Sequence, residues 1–156
     1  MEPDIQSIQI RRAVAADIPG MVALLKSLFS IEADFSFKSS TQIRGLQLLL
    51  DAPENKACAM VAVADDGRVL GMVTMQLVVS TAEGAPSGWI EDMVISQGIR
   101  RRGLGRRLLK SIMDWGAGQG ATRFQLLADK NNAPALEYYQ KLGWSGTSLV
   151  CLRGRP

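Results

Sequence analysis

The chain has 156 residues, 47% hydrophobic and 21% charged, with a net charge of +3 and a pI near 9.1. That length and balance suit one globular domain with a real core, residues 1–156, and exclude a disordered polyelectrolyte. There is no histidine, which removes the usual general base and the commonest metal ligand, and two cysteines are too few for a zinc site. No apolar run approaches membrane-spanning length, and Met1-Glu2-Pro3-Asp4 is acidic, without an apolar signal core. A cytoplasmic protein is expected. Ile5 to Ala13 alternates and reads as a strand. Asp17 is placed to cap a helix carrying Ile18, Met21, Val22, Leu24, Leu25 and Leu28. Phe29 to Lys38 is aromatic and acidic and reads as a loop. Ser39 or Ser40 is placed to cap a second helix, Thr41 to Leu50.

Ala57 to Asp65 and Arg68 to Ser80 read as strands joined through the turn Asp65-Asp66-Gly67. A loop of small residues, Thr81 to Ser87, leads to a strand, Gly88 to Ser96. Then follow a helix ending near Gln119, a strand Arg123 to Ala128, a helix Asn132 to Leu142 and a strand Ser148 to Arg153. Antiparallel strands followed by β-α-β-α-β predict an α/β fold: a mixed, mostly antiparallel sheet with helices on both faces. Cys58 and Cys151 lie in apolar strand-like stretches and read as buried free thiols.

Where the strand Gly88 to Ser96 turns into the next helix stands Arg100-Arg101-Arg102-Gly103-Leu104-Gly105-Arg106-Arg107. As a helix start this is costly. Each glycine loses roughly 0.5–1 kcal/mol relative to alanine. Cations in the first turn oppose the positive end of the macrodipole. Both costs make sense if an anion docks there, on backbone N–H groups that glycine leaves accessible. A solvated basic turn or a phosphate contact to nucleic acid are the competing explanations. A Walker loop is excluded, because no Gly-Lys-Ser/Thr follows.

Arg100-x-x-Gly103-x-Gly105 resembles the Gln/Arg-x-x-Gly-x-Gly/Ala signature of the GNAT (N-acetyltransferase) superfamily. Ile90-Glu91-Asp92-Met93-Val94-Ile95 is similar to that family's fourth strand. Asn132-Ala133-Pro134-Ala135-Leu136-Glu137-Tyr138-Tyr139-Gln140-Lys141-Leu142-Gly143-Trp144 resembles its Asn-x-x-Ala-x-x-Phe/Tyr-Tyr-x-Lys-x-Gly-Phe block. The resemblance covers Trp89 to Trp144 closely. It implies a GNAT fold in which strands four and five splay apart to admit acetyl-coenzyme A, used as cosubstrate without a metal.

The resemblance further implies that Arg100, Arg101, Arg102, Gly103, Leu104, Gly105 and Arg106 hold the pyrophosphate. Met93, Val94 and Ile95 would offer backbone N–H groups to the pantetheine, because the fourth strand bulges outward there, with Val94 the oxyanion-type donor to the thioester; an ordinary strand with every N–H paired is the alternative. Asn132 would bond the pantetheine or only cap its helix. Tyr139 would protonate the leaving thiolate, or pack in the core; Tyr138, about 100° away, should pack elsewhere. Glu91 would act as base through a water, as in the diamine branch of the family. Alternation sends Glu91 and Asp92 to opposite faces, and a salt bridge to Arg100 or Arg102 competes for either. Glu32, Asp34 and Phe35 lie in the Phe29–Lys38 segment, where the family forms its acceptor pocket; acids there would attract a cationic amine, with Phe35, Phe37 and Trp89 as apolar wall, and a hydrophobic staple with solvated acids is the alternative.

The expected partner is a small-molecule amine, with no nucleic acid and no membrane; a homodimer is compatible with this. A non-catalytic acyl-coenzyme A-binding module is the rival. Few residues follow Trp144, so a short final hairpin is expected.

Overall fold

The computed structural model describes residues 3–32 and 34–156. Gln9–Arg12 (β1), Ala57–Val63 (β2), Val69–Ser80 (β3), Ala85–Ile95 (β4) and Arg123–Leu126 (β5) form one sheet in that spatial order. Each neighbouring pair is antiparallel except β4 and β5, which are parallel. Every residue of β2 is buried. Its small and β-branched side chains must therefore be covered on both faces.

One face is covered by Ile18–Phe29 (α1) and Ser39–Asp51 (α2). Ile18, Met21, Leu24, Leu25 and Leu46 pack there with Ala59, Val61, Val63, Met72 and Val94. Leu104–Gly118 (α3) covers the other. Leu108 and Ile112 are fully buried, each stabilising the fold by about 1.5–3 kcal/mol. The approach is close: a Cβ on Gly71 of β3 would sit 2.8 Å from Leu108 Cδ1. This contact fixes the start of α3 against the sheet.

The chain divides into two compact units, Met1–Leu126 and Leu127–Pro156. The second contains Ala133–Lys141 (α4), capped by Asn132, whose side chain accepts from the Ala135 N–H at 3.2 Å. Among the described residues no helix is long and apolar enough to cross a membrane.

Several local expectations are corrected. β1 is shorter than expected, because Ile5 to Ile8 turns. Asp17 stands at the N-cap of α1, as expected, but its side chain makes no cap bond there. Its carboxylate instead accepts from the Val14 N–H at 2.8 Å and from both terminal nitrogens of Arg11. Ser39 and Ser40 lie inside α2, not before it. β4 starts at Ala85, within the expected loop. Residues 148–153 form no strand, and Cys151 is exposed while Cys58 is buried.

Candidate active site

The site begins with a fault in β4. Its register on β3 passes from Thr74 opposite Glu91 to Met72 opposite Val94. Asp92 and Met93 together therefore oppose Val73, a β-bulge. Asp92 takes the left-handed conformation, φ +52°, which Asp tolerates better than most residues. The buried Thr74 hydroxyl donates to the Glu91 carbonyl at 3.1 Å and pins the peptide just before the bulge. Parallel pairing with β5 stops at Ile90 opposite Leu126, while β4 runs on to Ile95. Over Met93, Val94 and Ile95 the β5 side of the strand thus has no β5 residue to pair with, so backbone groups there can serve a ligand.

β4 closes with the Ser96 N–H donating to the Leu70 carbonyl at 2.8 Å. A single 3-10 turn, Gln97–Ile99, follows, anchored by buried Ile99. Arg100 reaches back and donates Nε–H to the Ile95 carbonyl at 3.0 Å. It clasps the strand end rather than an acid. Arg101 and Gly103 both have positive φ, +64° and +85°. Gly103 sits at the N-cap of α3 without any side-chain cap, and the first turn holds no acid. The N–H groups of Leu104, Gly105 and Arg106 therefore point out of the helix uncapped, in a basic surround. This arrangement fits a pyrophosphate. Arg107 is spent elsewhere: it donates to the Ile5 and Ile8 carbonyls at 2.8 and 3.0 Å and ties down the N-terminal segment.

Acids gather on the other side of the bulge. Glu91 accepts a hydrogen bond from Trp89 Nε1 at 2.8 Å. Asp92 is half-buried. Burial, then the charges of Glu91 and of Glu32 after α1, push its carboxyl up to about 6. Glu91 and Glu32 both bear on Asp92 with like charge. Among the described residues neither Glu91 nor Asp92 is ion-paired. Glu32 is half-buried and Asp34 exposed. Phe35 is exposed and stacks on Phe29, ring centroids 5.4 Å apart.

In the second unit Tyr139 meets Tyr138 edge-on at 5.3 Å and Trp144 at 5.9 Å. Sequence reasoning missed the Trp89 tether, the use of Arg107 and the position of Asp92. The signal for the last was the double acid itself, since two adjacent carboxylates in an apolar strand suggest a broken alternation.

The model of the acetyltransferase (GNAT) family matches residues 23–144. The chain belongs to this family. Streptothricin acetyltransferase from Streptomyces lavendulae is 30% identical over 94 residues, 57% of this chain and 45% of that protein. The chain thus spans less than half the length of that curated relative. A possible acetyltransferase from Clostridium difficile 630 superposes with a TM-score of 0.82 at 19% identity, over 96% of this chain and 97% of the other. AAC(6')-Iy in complex with the bisubstrate analog CoA-S-monomethyl-acetylneamine superposes with a TM-score of 0.78 at 19% identity, over 96% and 98%. Both structural likenesses speak for the GNAT fold.

Proposed function

We propose that the chain is one acetyl-coenzyme A-dependent N-acetyltransferase domain acting on the primary amine of a small, cationic acceptor. The observation that carries this is the pairing of two features on β4 and the loop after it. The strand bulges and outruns β5 at Met93 to Ile95, and then leads to the uncapped, acid-free start of α3 at Gly103. A thioester carbonyl and a pyrophosphate need those two kinds of donor.

In this reading Leu104, Gly105 and Arg106 hold the pyrophosphate by backbone N–H groups, with Arg101 and Arg102 supplying charge and Arg100 bracing the loop. Met93, Val94 and Ile95 run beside the pantetheine, and Val94 N–H faces the thioester oxygen. Such a donor contributes roughly 2.7–4 kcal/mol in other acyl-transfer enzymes. Asn132 joins the pantetheine contacts. Tyr139 returns a proton to the departing thiolate. The acceptor nitrogen attacks the thioester directly, because among the described residues no cysteine or serine is placed as a nucleophile.

Glu32, Asp34 and Glu91 form an acidic lining for an ammonium, with Phe35 as apolar wall. A relative named for streptothricin, and a neighbour holding a coenzyme A-linked acetylneamine, support an amine-bearing small molecule. A cytoplasmic setting fits this choice of cosubstrate. The test is thiol release from acetyl-coenzyme A with a panel of primary amines. A module that only binds the cofactor would release none.

A further inference from the structure

Thr74 is out of keeping with its strand. It stands in β3 between Val73 and Met75, and all three are buried, as are Leu70 and Met72 before them. A buried hydroxyl in such company is costly unless it is bonded. Its bond runs to the carbonyl of Glu91 at 3.1 Å. Glu91 is the last residue of β4 in regular register before the bulge. Its carbonyl and the N–H of Asp92 belong to one planar trans peptide, so fixing the first fixes the second.

The same peptide sets φ of Asp92, which is +52°. Rotating the peptide plane is the move that would return Asp92 to the ordinary negative range. A backbone held off that range persists only where its surroundings over-determine it. Regular pairing resumes at Val94 opposite Met72. The bulge therefore lies between two ladder positions, and the leading one carries a side-chain clamp as well. We infer that Thr74 is a positioning residue for acyl transfer: its hydroxyl holds the Glu91–Asp92 peptide so that the bulge carries the Val94 N–H to the thioester oxygen. This rests on the acetyltransferase reading above.

Such a role has a kinetic signature. The Val94 N–H meets charge that grows on the thioester oxygen in the transition state, so its misplacement lowers kcat. Ground-state affinity for the cofactor, carried by the loop at Gly103, is left alone. The loss is also indifferent to which amine attacks. A threonine kept for the sheet alone would behave otherwise. Valine matches its shape, is β-branched and suits a buried strand. Its introduction would then move the melting temperature without singling out kcat.

The experiment compares wild type, Thr74→Val, Thr74→Ser and Thr74→Cys. Calorimetry gives acetyl-coenzyme A affinity, and thermal melting checks the fold. Steady-state kinetics use putrescine, spermidine and kanamycin. The infrared stretch of the bound thioester is read without amine, from acetyl-coenzyme A isotope-labelled at the carbonyl carbon. Thr74→Val is expected to lose about 10–100-fold in kcat with every amine alike, with cofactor affinity within about twofold of wild type. Its carbonyl stretch should return toward the value of the free thioester. Thr74→Ser keeps the hydroxyl and should recover most of the rate and of the wild-type stretch. Thr74→Cys, with a weaker S–H donor, should fall between the two, and it decides the matter if the valine variant does not fold. A wild-type kcat and stretch in Thr74→Val or Thr74→Cys, a loss confined to KM, or a loss in Thr74→Ser as deep as in Thr74→Val would overturn the role of Thr74. Absence of turnover by the wild type with every amine would instead overturn the acetyltransferase reading, and the carbonyl stretch would still decide whether Thr74 sets the donor.

Discussion

Trp89 Nε1 donates to Glu91 Oε1 at 2.8 Å, across two positions of the same strand. The bond holds the carboxylate close before the bulge, and in the proposed site its other oxygen would meet the acceptor. Trp89→Phe keeps the ring but removes the donor. The expected outcome is a several-fold higher KM for a cationic amine with kcat nearly unchanged, since an orienting contact shared by ground and transition states is lost. Steady-state kinetics with spermidine check this; an unchanged KM would detach Glu91 from the acceptor.

The phosphate loop gives a sharper prediction. Gly105 lies in the first turn of α3, among the uncapped N–H groups. Gly105→Glu places a carboxylate where the pyrophosphate should sit, so acetyl-coenzyme A binding should vanish while the fold persists. Gly103→Ala is milder. Its left-handed φ of +85° costs an L-residue about 1–2 kcal/mol, so affinity and melting temperature should both fall modestly. Titration calorimetry with unchanged affinity in folded Gly105→Glu would remove the loop from the site.

How much of this was legible beforehand depended on whether the signal was local. The order of strands and helices, the turn at Gly67 and the helix start at Gly103 all follow from residue patterning and glycine spacing. A bulge in this strand follows from the family resemblance, but patterning alone does not place it at Asp92, because it arises from register against Val73, a long-range pairing. Asp17 was legible as the N-cap residue of α1, but what its carboxylate binds was not, because that depends on where β1 delivers Arg11. The stretch 148–153 has strand-like residues but no partner strand, and apolar alternation alone does not supply one.

The Arg11–Asp17 pair predicts acid sensitivity. Hydrogen bonding to Arg11, offset by burial, holds the Asp17 carboxyl below its ordinary value. A depressed folded-state pKa means that stability is fully present above the unfolded value, about 3.9, and is lost as pH falls through the folded one. Asp17 is buried, but Arg11 is about a third exposed, so screening trims the effect. Asp17→Asn should cost about 1.5–3 kcal/mol at neutral pH and flatten the pH dependence of denaturant unfolding between about pH 5 and pH 2.

For the proton donor, Tyr139→Phe should lower kcat by roughly 10²–10⁴-fold with little change in cofactor affinity, and Tyr138→Phe should be far milder. Equal effects would return Tyr139 to packing against Tyr138 and Trp144.

Acyl transfer to nitrogen, from a cosubstrate held by the Arg100–Arg106 loop, is open to direct assay. It is tested most directly by incubating the protein with acetyl-coenzyme A and the amine panel, then quantifying free thiol and identifying products by mass spectrometry. Amine-dependent thiol release is expected, equal in amount to an N-acetylated product, and none from Gly105→Glu. Thiol release that ignores the amine, or full activity in Gly105→Glu, would contradict it.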